Sequence, residues 1–477
     1  MAKITAIIDI GSNSLTLVIY KKTSRLAFYE LHRQKYKIKI GEGSYNKDGV
    51  LQPEPMKRAY EALKDFSYII KAYKCRKTLC VATSALRDAP NKKEFIKQVE
   101  QGLGIMIKVI DGHKEAYFGA LAAINLLPDF PEFTTIDIGG GSTEFAKVVK
   151  GKIVKTTSLQ LGHVRVSEKC QNIYDKELFI LEELKKLDEE FFSKTVVTIG
   201  GTAREIAKYI QKKEDYPLYK CLHSYIYTKD KSTKYLEKLV NYDKDKLKKY
   251  ISKNRVDTIQ DGALVLLLTL QRLDAQKIVV SQKGVREGVY LSDLLRRFNG
   301  KFPVNFKLNQ RILIDRFAEV PKVNNYYQNI ANKLYPCLFD DKTYQETVSF
   351  CSKLLLLNDM NFYSWIEFLN FGYTHYEKVL IAYLMQSFSD EELDEKLYKK
   401  YKELLPDFEV IKKLFFILNL TSLLAKNMKI QNIKVEKQDD MLDIYMDISQ
   451  LTQEEILSID APIKLNIKKD TDGRKSI

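Results

Sequence analysis

From Ile4 the chain alternates short apolar runs with turn residues, and "ITAIIDI", "LTLVIY" and "LAFYELHRQKYKIKI" predict three strands in a meander. Helical spacing takes over from Pro53 to Tyr73. A strand and turn follow in "KTLCVATSALRDAP", then a strand in "IMIKVI" and a helix in "DGHKEAYFGALAAINLL", favoured by its alanines and leucines. At Phe133 the opening pattern returns, and "TTIDIG", "FAKVVKG" and "KIVKTTSLQLG" predict a second meander. A charged helical stretch runs from Ser167 to Lys194. It leads to a strand, turn and helix at "TVVTIGGTAREIAKYI", a helix-rich segment and a fourth glycine turn in "KIVVSQKGVREGVYLSDLL". Two similar halves follow one another, which is an internal duplication.

From Pro303 to about Met428 the texture changes to amphipathic helices rich in Leu, Tyr, Phe and Lys. Beyond them "IQNIKVEKQDDMLDIYMDIS" alternates apolar and polar residues about a turn and predicts a hairpin, and the polar tail "KKDTDGRKSI" reads as a frayed end. A chain of 477 residues exceeds what one core serves. The expected domains are 1–125, 126–300 and 301–477.

Composition narrows the class. Hydrophobic residues make up 45% of the chain, ample for packed cores and against disorder. No apolar run approaches the ~20 residues of a membrane-spanning helix, and the N-terminus has no basic-then-apolar signal, so a soluble, cytoplasmic protein without membrane contact is expected. The six cysteines are scattered, with no CxxC pair, and read as reduced thiols, not as a zinc or disulfide site.

The formal net charge of +15 is unevenly placed. Residues 1–300 carry 53 Lys and Arg against 36 Asp and Glu, a balance of +17, while 301–477 carry 24 against 26, a balance of −2. A basic field on the first 300 residues draws anions such as nucleic acid, nucleotide or polyphosphate. The competing reading is a chain solubilised by lysine. No basic-and-aromatic nucleic-acid module is visible, so nucleic acid is the weaker partner.

The duplicated turn carries the chemistry. Asp9 precedes Gly11, Ser12, Asn13 and Ser14, and Asp137 precedes Gly139, Gly140, Gly141 and Ser142. Such turns gather backbone amides into a nest for phosphate oxygens, with no bulky side chain in the way. Paired carboxylates beside phosphate-cradling loops suit Mg²⁺, a hard cation that takes oxygen ligands and shares them with phosphate. One Asp-x-Gly alone reads as an Asp capping its own turn. Two copies in matching strand contexts favour the metal and phosphate reading.

The segments "DIGSNS", "ATSALRDA", "KEAYFGALAA", "IDIGGGSTEF", "SLQLGHVRVSEK", "IGGTAREIA", "NRVDTIQDGALVL" and "GVREG" occur in this order between about residues 4 and 295. In this the chain resembles the exopolyphosphatase and guanosine pentaphosphate phosphohydrolase family (Ppx/GppA) of the actin-like superfamily. The resemblance implies an α/β fold of two actin-like (ribonuclease H-like) domains, followed by a mainly helical C-terminal domain akin to HD-type domains. It further implies a cleft between the first two domains and Mg²⁺-dependent removal of terminal phosphate from inorganic polyphosphate, from pppGpp, an alarmone of the stringent response, or from both. A homodimer is compatible with it.

By the same resemblance Glu115 is the glutamate that orients and deprotonates the attacking water; a Glu in a first helical turn also suits the helix dipole. Asp137 and Glu144 match the acidic pair that places metal and water, with Asp9 completing the shell through water. The two turns, Gly11 to Ser14 and Gly139 to Ser142, cradle successive phosphates. Arg87 offers a bidentate fork to a phosphate, and Arg204, Arg255 and Arg286 lie in the remaining motifs as substrate contacts.

Two departures stand out. Leu15 and Thr16 follow "GSNS" where many family members carry a basic or polar residue at the second place, and Asn358 precedes Asp359 where an HD motif has His, leaving His375 alone in the later helix. A missing imidazole removes a tight metal site there, so 301–477 reads as helical scaffold and partner surface. A phosphohydrolase is the expected function. The alternatives are an ATP-dependent kinase of the sugar or acetate type, and a non-catalytic alarmone or polyphosphate sensor.

Overall fold

The apolar runs of the first meander pack as expected. β1 (Ile4–Ile10), β2 (Leu15–Lys22) and β3 (Phe28–Tyr36) are antiparallel neighbours, while β4 (Lys77–Ala82) and β5 (Ile107–Val109) extend the sheet in parallel, giving the order β3-β2-β1-β4-β5. β1 is buried almost throughout, as strands covered on both faces are. This computed structural model describes residues 4–44, 48–317, 324–355, 357, 360–426, 434–438, 441–445 and 450–468. The chain divides into two units, Met1–Leu308 and Asn309–Ile477.

On the first sheet lie α1 (Pro53–Ala72), α2 (Ser84–Asp88) and α3 (Lys92–Leu103). α1 opens on Pro53, whose missing amide costs nothing in a first turn, and buries Ala59, Leu63 and Phe66 in the cluster that holds Ile8, Leu17 and Ile19. α4 (Gly112–Leu126) is capped by Asp111, which accepts from the Lys114 amide at 2.7 Å.

The second sheet repeats the topology. β6 (Glu132–Ile138), β7 (Thr143–Val149) and β8 (Lys152–Leu159) form the meander, β9 (Thr195–Ile199) and β11 (Lys277–Val280) the parallel extension, and β10 (Ile226–Thr228) an added antiparallel edge. Its helices are α5 (His163–Lys169), α6 (Ile173–Lys185), α7 (Gly200–Lys213), α8 (Lys229–Val240), α9 (Lys244–Tyr250), α10 (Ile259–Arg272) and α11 (Val285–Leu294). Where charge patterning predicts one helical stretch from Ser167 to Lys194, the chain breaks at Cys170, and Asn172 caps a new helix by accepting from the Asp175 amide. β10 has three residues, too few for periodicity to reveal.

Two helices cross between the halves. α4 precedes the boundary expected at residue 125, yet its alanine face (Ala116, Ala120, Ala123) packs on the second sheet against Ala146, Val148, Val197 and Val279. α11 comes from the second half and packs on α4 and β1. The catalytic candidates of both halves therefore meet over a shared helical pair.

The second unit is helical, with Asn324–Leu338, Gln345–Leu354, Phe362–Phe368, His375–Asp390, Glu395–Tyr401 and Phe408–Lys426 among its helices. β12 (Lys434–Gln438) and β13 (Met441–Tyr445) form the predicted hairpin, whose turn residues 439–440 lie outside the described residues. β14 (Lys464–Lys468) joins β13 in parallel, where buried Asp443 accepts from Lys468 at 2.6 Å and from Asn466 at 2.9 Å. Residues 469–477, most of the tail read as frayed, also lie outside the described residues, as do Asn358 and Asp359. His375 opens its helix and is buried. No helix among the described residues is long and apolar enough to cross a membrane.

Candidate active site

A cleft of about 130 Å³ opens between the two sheets of the first unit. Its floor is the duplicated turn. In the first loop the Gly11 amide donates to the Ser14 carbonyl at 3.1 Å; in the second the Gly139 amide donates to the Ser142 carbonyl at 2.9 Å. The carbonyls between are held from outside. Ser12 O and Asn13 O accept from the Gly41 and Lys39 amides, while Gly139 O and Gly140 O accept from the His163 and Val164 amides and Gly141 O from Arg165 Nε. A trans peptide points its N–H opposite its C=O. The amides of Asn13, Ser14, Gly140, Gly141 and Ser142 are therefore turned away from those supports, an arrangement that can receive anions. Gly162 makes the second loop possible, because a Cβ there would stand 2.4 Å from the Gly140 carbonyl group.

Register places the acids. Asp137 on β6 stands opposite Glu144 on β7, and in the first half Asp9 stands opposite Thr16. Asp9 accepts from Arg286 Nη1 at 2.9 Å. Glu144 accepts from Ser158 Oγ at 2.8 Å. Asp137 has no side-chain hydrogen bond among the described residues, and its carboxylate lies over Gly200, where a Cβ would come within 2.5 Å of Oδ1.

Glu115, in the first turn of α4, meets the expected phosphate fork head-on. Arg87 Nη1 donates to Glu115 Oε2 at 2.9 Å, Nη2 to Ser142 Oγ at 3.3 Å, and Nη2 lies 3.9 Å from Glu144 Oε1. The guanidinium thus ties the two glutamates to the second loop and does not line the cleft. The arrangement has an electrostatic reason: two buried glutamates beside one guanidinium share its charge.

Burial pushes Glu115 well above the usual carboxylate range, with Glu144 adding to the rise and Arg87 opposing it. Glu144 is raised to about 7 by burial and Asp137 to about 6, the latter against the pull of Arg204. Asp9 is raised by burial and restrained by Arg286.

Arg204, Arg255 and Arg286 all line the cleft, as the motifs imply. Sequence reasoning missed Lys35 and His163, which line it too. Partial burial and the neighbouring Arg255, Arg204 and Arg286 lower Lys35 to about 8, and burial lowers His163 to about 3, so the imidazole is neutral. Lys35 carries one available signal: it begins an alternation, Lys35, Lys37, Lys39, of exposed cations between more buried Tyr36, Ile38 and Ile40. Buried His163 Nδ1 and Arg286 Nε have no partner among the described residues.

Among the described residues no three His, Cys, Asp or Glu side chains gather closely enough to encage a metal ion. The expected trio of Asp9, Asp137 and Glu144 is divided, with Asp9 on Arg286 and Glu144 on Ser158. Asp137, half-buried and with no side-chain hydrogen bond among the described residues, fits a Mg²⁺ that keeps most of its water and shares its shell with substrate phosphates.

A duplicated strand order, one glycine turn from each half and a shared helical pair define an actin-like protein. The model described as the Ppx/GppA phosphatase family matches residues 18–297, more than half of the chain. The chain belongs to that family. It is 31% identical over 308 residues to a bifunctional 3-dehydroquinate synthase/phosphatase of Fusobacterium nucleatum, covering 60% of this chain and 46% of that protein. It is also 31% identical over 174 residues to exopolyphosphatase 2 of Mycobacterium tuberculosis, covering 35% and 54%. The chain thus spans about half the length of these curated relatives. The crystal structure of an Aquifex aeolicus Ppx/GppA family member aligns at a TM-score of 0.54 and 25% identity over 62% of this chain and 99% of that one.

Proposed function

We propose that this protein hydrolyses the terminal phosphoanhydride bond of inorganic polyphosphate, with pppGpp as a second substrate of the same cleft. The observation that carries this reading is the division of one cleft into an acidic end, Glu115 and Asp137, with Glu144 behind it beside Arg87, and a cationic end, Lys35, Arg204, Arg255 and Arg286, with the two amide turns at its floor. The likeness to an exopolyphosphatase of Mycobacterium tuberculosis supports the substrate class.

Phosphoryl transfer asks the protein mostly for position and charge neutralisation. The turns hold the terminal phosphate while the cationic end holds the rest of the chain, with Arg286 Nε a donor that has no partner among the described residues. Water attacks the terminal phosphorus, the bridging P–O bond breaks, and Glu115 takes the proton of the water. Arg87 donates to Glu115 and favours its ionised form, against the burial that raises the affinity of that carboxylate for protons. Mg²⁺ held at Asp137 would neutralise charge on the phosphate oxygens.

The test is phosphate release from long-chain polyphosphate, pppGpp and ATP side by side, with and without Mg²⁺. Fastest release from polyphosphate, dependent on Mg²⁺, is the expected result. Phosphate transfer to a hydroxyl acceptor in place of water would favour the kinase, and binding without release the sensor.

A further inference from the structure

The glycine turn that carries Arg286 into the cleft is clamped by residues of the other half. Glu287, 1% exposed, accepts from Tyr20 Oη at 2.9 Å and Arg33 Nη2 at 3.3 Å through Oε1, and from the Gly284 amide at 2.9 Å through Oε2. Glu30 takes both Arg33 Nε and Nη2, at 2.8 and 2.6 Å, and lies 3.9 Å from Lys283 Nζ. With Asp9 on Arg286 the cluster is balanced: Asp9, Glu30 and Glu287 against Arg33, Lys283 and Arg286. Tyr20 and Arg33 stand on β2 and β3, whereas Gly284, Arg286 and Glu287 begin α11.

We propose that Glu287 is a positioning residue for phosphate binding: it seats the Gly284 turn on the first sheet and keeps Arg286 aimed into the cleft. The proposal rests on the phosphohydrolase reading. A buried carboxylate is costly unless fully paired, and a neutral acceptor would cap α11 as well, so its charge calls for a further role. That role lies at Arg286, which follows the clamped Gly284 turn and donates through Nη1 to Asp9 at 2.9 Å; its guanidinium is half-buried, and the charge of neighbouring Glu287 favours it there together with that of Asp9. Arg286 can therefore exchange Asp9 for a substrate phosphate and still keep a counter-charge. Without Glu287 that exchange leaves the guanidinium, Lys283 and Arg33 with too few anions, and the turn shifts.

Glu287→Gln keeps the shape and, through its amide oxygen, the acceptor for the Gly284 amide; it removes the charge and turns its NH2 towards Tyr20 and Arg33. The expected result is a KM for tripolyphosphate raised ~tenfold with kcat within ~threefold of wild type, because the Glu115 and Arg87 end is untouched. Tyr20→Phe keeps the ring packed on Phe28 and Tyr290, loses the hydroxyl, and should raise KM ~threefold; it decides the matter if Glu287→Gln does not fold. Calorimetric titration with tripolyphosphate, each variant combined with Glu115→Gln, reads the same loss without turnover. Binding that both variants leave unchanged, or a fall in kcat at constant KM, overturns the proposal alone. Protein with Glu287 intact that binds no tripolyphosphate overturns it together with the phosphohydrolase reading.

Discussion

The two turns of the cleft close with the same hydrogen bond on corresponding strand pairs, β1–β2 and β6–β7, yet they are not equivalent. Opposite Asp137 stands Glu144; opposite Asp9 stands Thr16, whose hydroxyl is buried without a partner among the described residues. Asp9 is paired with Arg286, whereas the Asp137 side chain has no hydrogen bond among the described residues. The first loop leans on residues 39–41 and the second on the start of α5. Duplication thus supplied the glycine turn twice and the facing pair of carboxylates once. The asymmetry lies in one cross-strand side chain and in the partner each aspartate has.

The sharpest test of that division is Glu115→Gln, which keeps shape but cannot take a proton. Turnover of polyphosphate should fall by ~100-fold or more while binding by calorimetry survives. Near-normal turnover would remove Glu115 from its role. Next comes the contrast between the aspartates. Asp137→Asn should cut turnover ~30-fold and raise the Mg²⁺ needed for half activity, while Asp9→Asn costs only ~threefold; equal losses would make the halves equivalent after all.

Gly162→Ala pushes a methyl into the Gly140 peptide and should cost ~tenfold in kcat/KM and roughly 2 kcal/mol in stability, read by denaturant unfolding. An unchanged enzyme would mean that α5 does not set the second loop.

The smallest effect concerns pH. With Asp137 at about 6 and Glu144 at about 7 in the fold, against ordinary values near 4 in the unfolded chain, the folded protein holds the extra protons between pH ~4 and ~7. These two acids therefore make the fold less stable as pH rises through that window. Activity runs the other way, falling as they protonate on acidification. Metal-free Asp137→Asn should melt a few degrees above wild type at pH 7.5 and level with it near pH 4.5. No difference at either pH would show that Asp137 carries no strain.

The cradle was readable because it is local. Gly11 to Ser14 and Gly139 to Ser142 announce themselves by turn chemistry, and the duplicated strand runs by their period. Glu287 meets Tyr20 across 267 residues of sequence, and no spacing rule reaches that far. Lys35 and His163 arrive by strand pairing and loop docking, so "KYKIKI" reads as strand and nothing more. Arg87 was found by its motif, but its duty between Glu115 and Glu144 appears only when the folded chain brings both carboxylates to one guanidinium. β14 is a short polar strand whose place depends on Asp443, held by Lys468 and Asn466.

The packing of α4 on the second sheet bears on how the protein is born. The ribosome delivers Glu115 early, but the alanine face behind it needs Val279, and α11 must then cross so closely that a Cβ on Gly288 would stand 1.9 Å from the Phe118 carbonyl oxygen. At roughly 5–20 residues per second, the helix that bears Glu115 waits on the order of ten to thirty seconds for its partners. A nascent chain stalled before Leu295 carries Glu115 and both glycine turns without the whole of the helix that packs across α4.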